Sequence, residues 1–199
     1  SFIGTPYVAH SLEKGETEQL VINLTGLDCT TFLETVLTLS RSIKKNKTTF
    51  EDYKNELKFI RYRDGKLDGY PSRLHYTSDW ILNNQKKGVV KSMGKEIGGI
   101  LYNSKVFFMS KNPDKYEILA KNPQFLPQII EAENYVNSAE KYYIPKDKIT
   151  SVESKINTGD LIGITTTIEG IDISHVGIAV KGNDGHVYFM HAPMVGKHV

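Results

Sequence analysis

Apolar side chains recur at helical spacing in two segments of the chain. In the first, over residues 29–43, they are Phe32, Leu33, Val36, Leu37, Leu39 and Ile43. This spacing predicts an amphipathic helix, and Asp28, directly before it, is the expected N-cap. A second helix is predicted over about residues 127–141. Its shared face is formed by Leu126, Ile129, Ile130, Val136, Ala139 and Tyr143.

The last third of the chain consists of short β-branched segments separated by Gly, Asn and Asp. Residues 160–165, 173–180 and 186–191 have this composition, which is typical of antiparallel strands. The polar, aromatic stretch of about residues 64–99 predicts loops with short helices. Because the helices come first and the strands last, the sequence predicts an α+β fold.

Length and composition restrict the classes of protein that fit. The 199 residues, 39% hydrophobic with a net charge of +2, predict a single domain over residues 1–199. No apolar run approaches the roughly 20 residues of a membrane-spanning helix, so no such segment is expected. The basic residues are scattered among acidic ones, which argues against a nucleic-acid-binding surface.

The chain has one cysteine, Cys29, which excludes an internal disulfide and any zinc site built on two thiolates. Cys29 directly follows the expected N-cap, where the helix dipole and first-turn N–H groups favour negative charge. A nucleophilic cysteine needs such help to form its thiolate. The alternative is a small buried hydrophobic residue, but the polar neighbours of Cys29 favour the nucleophile.

A cysteine nucleophile requires a base, and His175 and His191 are the histidines within strand patterns. His175 follows Cys29 by 146 residues, within the spacing of about 130–150 residues found in papain-like enzymes. A three-residue turn over 183–185 would place both histidines on one face of the hairpin, whereas a two-residue turn would separate them. Gly185 stands where the three-residue turn needs its glycine. The sequence therefore favours His175 as base and His191 as the residue that orients it.

Two alternatives stay open for these histidines. They could be half-buried strand residues without a partnership. They could also join Cys29 as three ligands of a zinc ion with an open fourth position, in which case chelation would abolish activity.

Five motifs resemble, in order along the chain, those of the NlpC/P60 cysteine peptidase superfamily. They are Gly4–Val8, Leu27–Phe32, Gly159–Leu161, Ser174–Ile178 and Met190–Ala192. The two threonines after Cys29 and the segment Ser72–Trp80 resemble the branch of unknown-function domains described as N-acetylmuramoyl-L-alanine amidase-like.

The resemblance implies a papain-like core in which the catalytic cysteine starts a helix packed on a small antiparallel sheet. It implies Cys29 as nucleophile, His175 as general base and His191 as the orienting residue. It also implies Tyr7 near the oxyanion and Asp28 facing the peptide end of the substrate. The backbone N–H of Cys29 would be an oxyanion donor, as a helix start provides independently.

The implied substrate is a peptidoglycan fragment, and the implied reaction is hydrolysis of the amide between N-acetylmuramic acid and L-alanine. No cofactor or metal is implied, and the implied location is the periplasm or cell envelope. One alternative moves the cut to the bond between D-glutamate and the diamino acid of the stem peptide. Another is a muropeptide-binding module that has lost catalysis.

A substrate-binding insertion is expected at about residues 60–140. In it, Arg73 would grip a substrate carboxylate, although the arginines of this region could also be ordinary surface charges. Ring faces for the sugar or peptide would come from Tyr62, Tyr70, Tyr76 and Trp80.

Two features depart from the usual pattern of the superfamily. Thr30 and Thr31 replace the commoner Ser-Gly, which puts bulk beside the nucleophile and bears on which amide is presented. The sequence also ends eight residues after His191, where this fold would add a strand or two, so we expect a sheet that is open at one edge.

Overall fold

The computed structural model describes residues 2–13 and 15–199, which form two units of helix and short strand. Unit 1 comprises Ser1–Leu74 and Met190–Val199, and unit 2 comprises His75–Phe189. The small antiparallel sheets and the helices confirm the predicted α+β class.

Unit 1 is built on two helices, α1 (Cys29–Lys44) and α2 (Phe50–Arg61), each started by a capping box. The prediction of α1 is confirmed at both ends, whereas α2 was not predicted. Their side chains meet in a core that includes Phe32 (1% exposed), Leu57 (1%) and Ile60 (0%).

The buried stripe of α1 differs from the expected one in its second half. Ile43 is 68% exposed, whereas Thr35, Thr38 and Ser42 are buried. These small hydroxyl side chains continue the stripe of Phe32 at spacings of three and four residues, so the buried face turns polar where the apolar pattern placed Ile43.

Charged pairs join the two helices. Glu56 of α2 accepts hydrogen bonds at 2.6 Å from Arg41 and at 2.6 Å from Lys45. Near the other end, buried Arg61 donates to buried Glu34 at 2.7 Å. Because both members of the second pair are buried, loss of either one would leave an uncompensated charge inside the protein.

The two ends of the chain pair with each other in unit 1. Tyr7 N–H donates to the Lys197 carbonyl at 2.9 Å, and Val199 N–H donates to the Thr5 carbonyl at 3.0 Å. Tyr7 also forms a parallel bridge with Leu27, two residues before α1. The first residues of the chain therefore lie beside the start of α1.

Unit 2 contains helices, short strands and several single 3₁₀ turns. Its helices are α3 (Thr77–Lys86), α4 (Phe108–Lys111), α5 (Glu117–Lys121), α6 (Leu126–Ser138) and α7 (Ile149–Val152). Its strands are β1 (Ile100–Leu101), β2 (Tyr142–Tyr143), β3 (Leu161–Thr165), β4 (Ile173–Lys181) and β5 (Val187–Met190), the last residue of which opens the second segment of unit 1.

The second predicted helix is confirmed as α6, which packs on α3 and buries Ile129 and Val136. It ends at Ser138 instead of Lys141, because Ala139 adopts an extended backbone with φ of −84° and ψ of +143°. The Lys141 carbonyl accepts a hydrogen bond from Tyr102 N–H next to β1. Ile130 was expected on its buried face but is 41% exposed.

The three predicted C-terminal strands are confirmed as a sheet of order β3-β4-β5, in which β3 is antiparallel to β4. The turn between β4 and β5 is the predicted three-residue one. Gly182 N–H donates to the His186 carbonyl at 2.8 Å, and Gly185 has a φ of +84°, the left-handed conformation that glycine adopts without strain.

Candidate active site

Cys29 is the first residue of α1, and its position is fixed by the capping box of that helix. The Asp28 carboxylate Oδ1 accepts a hydrogen bond from Thr31 N–H at 2.7 Å and another from the Thr31 hydroxyl at 2.9 Å. In return, the Thr31 hydroxyl accepts from Asp28 N–H at 2.9 Å. The cysteine between them is thereby held at a helix N-terminus, where the dipole favours a thiolate.

The two threonines after Cys29 have different environments. Thr30 is exposed and its hydroxyl lies 4.0 Å from the Cys29 sulfur. Thr31 is buried and engaged in the capping box. The expected bulk beside Cys29 is therefore supplied by Thr30, whereas Thr31 supports the helix start.

The negative charge of Cys29 affects the pKa of the Tyr7 phenol. Burial raises the pKa of Tyr7 above its usual value, and the negative charges of Cys29 and Asp28 raise it further. The phenol consequently keeps its proton at neutral pH. Its backbone is held on two sides by Lys197 and Leu27.

The two candidate histidines lie in different units. His191 belongs to unit 1, is half-buried, and directly follows β5. His175 belongs to unit 2, where it pairs with Ile164 in the register of β3 and β4. Its ring meets that of Phe189 edge to face at 5.9 Å. The triad of Cys29, His175 and His191 stays a prediction.

The aromatic residues expected to offer ring faces to a substrate are buried instead. Tyr62 (0% exposed) and Tyr70 (1%) lie in unit 1, and Tyr76 (7%) and Trp80 (6%) lie in unit 2. Tyr76 shows the reason: its hydroxyl donates to buried Glu133 at 2.7 Å and accepts from Met109 N–H at 2.8 Å. Because its hydroxyl finds hydrogen-bond partners inside the protein, the Tyr76 side chain can be buried.

Arg73 is also inside unit 1, at 6% exposure. Its Nη2 donates to Glu13 at 2.7 Å, and its Nε lies 3.2 Å from Glu18. The carboxylates that it grips therefore belong to the chain itself, whereas we expected a carboxylate of the substrate. Sequence reasoning missed both glutamates, because they lie in a polar segment without periodicity.

The described residues contain neither a cluster of metal-ligating side chains nor a membrane-spanning helix. Nowhere in 2–13 and 15–199 do three or more His, Cys, Asp or Glu side chains gather as a metal site. Over the same ranges, every helix is too short or too polar to cross a membrane.

The whole chain is similar to known proteins in sequence and structure. A crystal structure of an N-acetylmuramoyl-L-alanine amidase from Bacteroides uniformis has 36% sequence identity and a TM-score of 0.89, with 96% of this chain and 80% of that chain covered. A second crystal structure of an amidase of that name, from the same organism, has 34% identity and a TM-score of 0.85, with 96% and 82% covered.

A Bacteroides fragilis protein named as a candidate xylanase is also 36% identical, with a TM-score of 0.88, and 99% of this chain and 89% of that chain are covered. The comparison with curated proteins gives no significant match. The profile of the family described as AmiA-like, N-acetylmuramoyl-L-alanine amidase-like, matches residues 1–199. The chain therefore belongs to the AmiA-like, N-acetylmuramoyl-L-alanine amidase-like family.

Proposed function

We propose that this protein is a cysteine amidase that hydrolyses the bond between the lactyl group of N-acetylmuramic acid and L-alanine in cell-wall fragments. Membership of the amidase-like family and the Bacteroides uniformis neighbours support the substrate class. The observation that carries the cysteine mechanism is the placement of Cys29 at the first residue of a capped helix, with the backbone of Tyr7 bridged to Leu27 two residues before it.

In the proposed reaction, the Cys29 thiolate attacks the amide carbonyl and forms a tetrahedral oxyanion. First-turn N–H groups are not consumed by the helix's own hydrogen bonds, which supports the Cys29 amide as one oxyanion donor. The Tyr7 phenol is the second donor, since charge developing in the transition state is best stabilised by donors already in place.

His175, oriented by His191, protonates the leaving amine of L-alanine as the carbon–nitrogen bond breaks. The sugar lactyl group is then held as a thioester on Cys29. Water, deprotonated by His175, attacks this thioester and releases the lactyl carboxylate, which regenerates the thiolate. The proposed substrate also supports a location in the periplasm or cell envelope.

Purified muropeptides, followed by mass spectrometry of the products, test this proposal. We expect one product with the mass of the free sugar and one with the mass of the intact stem peptide. Cleavage between D-glutamate and the diamino acid would instead leave L-alanine on the sugar and would refute the proposed bond.

The catalytic group is tested separately from the bond. Cys29→Ala and iodoacetamide should each abolish turnover, and alkylation should be traceable to one site because the sequence has a single cysteine. Tyr7→Phe should lower kcat by about 100- to 1,000-fold, as loss of an oxyanion donor does. Activity that survives Cys29→Ala, or that disappears with a chelator alone, would contradict the thiolate mechanism.

The name of the Bacteroides fragilis neighbour suggests xylan as another substrate. Glycoside hydrolases of that kind commonly use two carboxylic acids flanking the bond. Here Asp28, beside Cys29, uses Oδ1 to cap α1, and Glu13 and Glu18 are paired with Arg73. This arrangement favours amide chemistry, and we expect incubation with xylan to release no reducing sugar.

A further inference from the structure

Residues 8–26, called the loop 8–26 below, contain neither helix nor strand in the part that the structure describes. The two ends of this loop are held together: Leu27 N–H donates to the Pro6 carbonyl at 3.1 Å, and Val8 N–H donates to the Leu27 carbonyl at 3.2 Å. Tyr7 stands at one end and Cys29 follows the other. Tyr7 and Cys29 therefore flank the joined ends of the loop.

Buried polar contacts join the loop to residues 62–73, which are distant in sequence but belong to the same unit. Arg73 binds Glu13 at 2.7 Å and lies 3.2 Å from Glu18, whose side chain is 3% exposed. Glu18 also accepts a hydrogen bond from the Tyr62 hydroxyl at 2.7 Å. The three segments that carry these residues are held together by one charged cluster.

A second contact links the loop to α1. Arg61, 3% exposed, donates through Nη1 to the Val21 carbonyl at 2.6 Å and through Nε to Glu34 of α1 at 2.7 Å. The loop is thus fixed at its ends, at its acidic residues and through an arginine that also holds the cysteine-bearing helix.

The charges in the cluster depend on one another. Burial alone would lower the pKa of Arg73, but Glu18 and Glu13 raise it above its usual value, so the guanidinium stays charged. Burial raises the pKa of Glu18 although Arg73 and Tyr62 act in the opposite direction. Removing the arginine would leave a buried carboxylate uncompensated, which strongly destabilises the local structure.

We propose that Arg73 is a positioning residue. By binding Glu13 and Glu18, it fixes the conformation of the loop 8–26 and thereby holds the Tyr7 phenol in position next to the Cys29 sulfur. Its effect on turnover rests on the proposed function. Its effect on the environment of the sulfur does not, because Cys29 alkylation can be measured without a substrate.

The first test measures the rate of Cys29 alkylation by iodoacetamide as a function of pH in Arg73→Gln and Arg73→Lys. Loss of the phenol donor should disfavour the thiolate, so we expect Arg73→Gln to move the midpoint of the pH profile upward by about one pH unit. Arg73→Lys keeps the charge and should recover part of the shift. Arg41→Gln, which breaks the Arg41–Glu56 pair of unit 1, is the matched control and should leave the midpoint unchanged.

A double-mutant cycle shows whether Arg73 acts through Tyr7. Tyr7→Phe should raise the midpoint in the same direction, and adding Arg73→Gln to it should produce little further shift, because coupled positions are not additive. Hydrogen exchange of peptides within residues 8–26 should become faster in Arg73→Gln and stay unchanged in Arg41→Gln.

In turnover of a muropeptide, we expect Arg73→Gln to lower kcat about tenfold with little change in KM, since misplacement of catalytic groups affects the reacting geometry. If Arg73→Gln does not fold, Glu13→Gln carries the same test, because Glu13 is 34% exposed and its loss costs less. An unchanged midpoint, or one that adds fully to that of Tyr7→Phe, would overturn the proposal. The expected alkylation shifts without any turnover would contradict only the proposed function.

Discussion

Thr31→Val removes a single hydroxyl from the helix start that carries Cys29. This hydroxyl accepts a hydrogen bond from Asp28 N–H at 2.9 Å and donates to Asp28 Oδ1 at 2.9 Å. Valine has nearly the same shape and keeps the β-branch, so the substitution leaves no large cavity at this buried position. The Thr31 N–H bond to Asp28 Oδ1, at 2.7 Å, would remain.

The magnitude follows from the groups that lose partners. Leaving the Asp28 N–H without an acceptor in a partly buried site costs about 1–3 kcal/mol, and loss of a capping interaction costs about 1 kcal/mol. Because the backbone bond of the cap survives, we expect a total loss of about 2 kcal/mol in the free energy of unfolding. For a protein of this size that lowers Tm by about 4–8 °C.

Chemical denaturation followed by circular dichroism measures the free energy, and iodoacetamide labelling measures the effect on Cys29. Thr31→Ser, which keeps the hydroxyl, should recover most of the loss. Thr30→Val makes the same chemical change at an exposed neighbour and should leave the free energy of unfolding within about 0.5 kcal/mol of the native protein. If Thr31→Val were as stable as Thr30→Val, the capping box would not be what holds the helix start.

Three other substitutions probe the packing and charge of the fold by denaturation. Phe32→Ala, at a position 1% exposed in unit 1, should lower the free energy of unfolding by about 3–5 kcal/mol. Burial raises the pKa of Glu56, but hydrogen bonds from Lys45 and Arg41 outweigh this effect and hold the pKa below its usual value of 4.5. The stability that this ionised group contributes is therefore present above pH 4.5 and is lost as the pH falls through the lowered pKa. Glu56→Gln should therefore be less stable at neutral pH and lose less stability in acid. Gly185→Ala, at a φ of +84°, should cost about 1 kcal/mol, because alanine is strained in that conformation.

The parts of the fold that could be predicted depend on chemistry within a few residues. The start of α1 follows from Asp28 standing before an apolar helical pattern, and the β4–β5 turn follows from the need for glycine at position 185. In both, the interaction that decides the structure joins residues no more than four positions apart. Local sequence therefore contains the information.

Helix α2 was not predicted although Tyr53, Leu57 and Ile60 recur at helical spacing, because the charged residues Glu56 and Arg61 share its buried side and obscure the apolar pattern. Their burial is possible only because Arg41 and Glu34 of α1 neutralise them. A local signal did exist: Thr49 begins the helix with a capping box to Asp52. Such a motif predicts a helix start but not which face is buried.

The same limit applies to the site. The helix-start position of Cys29 could be predicted from its neighbours, whereas Tyr7 entered only through the family resemblance. The pairing of Arg73 with Glu13 joins residues 60 positions apart. A buried arginine and a substrate-binding arginine look alike in a sequence, because both need a carboxylate and only the fold decides whose carboxylate it is.

An apolar replacement of the Arg73 cluster would separate its contribution to stability from its contribution to position. Replacing a buried ion-paired group by apolar residues of similar volume is often neutral or stabilising by about 1–4 kcal/mol. We therefore expect the triple variant Arg73→Met, Glu13→Leu, Glu18→Leu to unfold at the same or a higher denaturant concentration than Arg73→Gln. The Tyr62 hydroxyl would keep its bond to the Gln19 carbonyl, at 3.1 Å.

Apolar side chains attract each other without direction, whereas the guanidinium binds two carboxylates in one geometry. The triple variant should thus keep its stability but show the raised alkylation midpoint of Arg73→Gln, measured on the same iodoacetamide assay. A triple variant that is stable and also keeps the native midpoint would mean that any well-packed interior positions Tyr7 equally well. The described residues of the loop 8–26 form no helix or strand, so directional side-chain contacts fix its conformation in place of a backbone ladder.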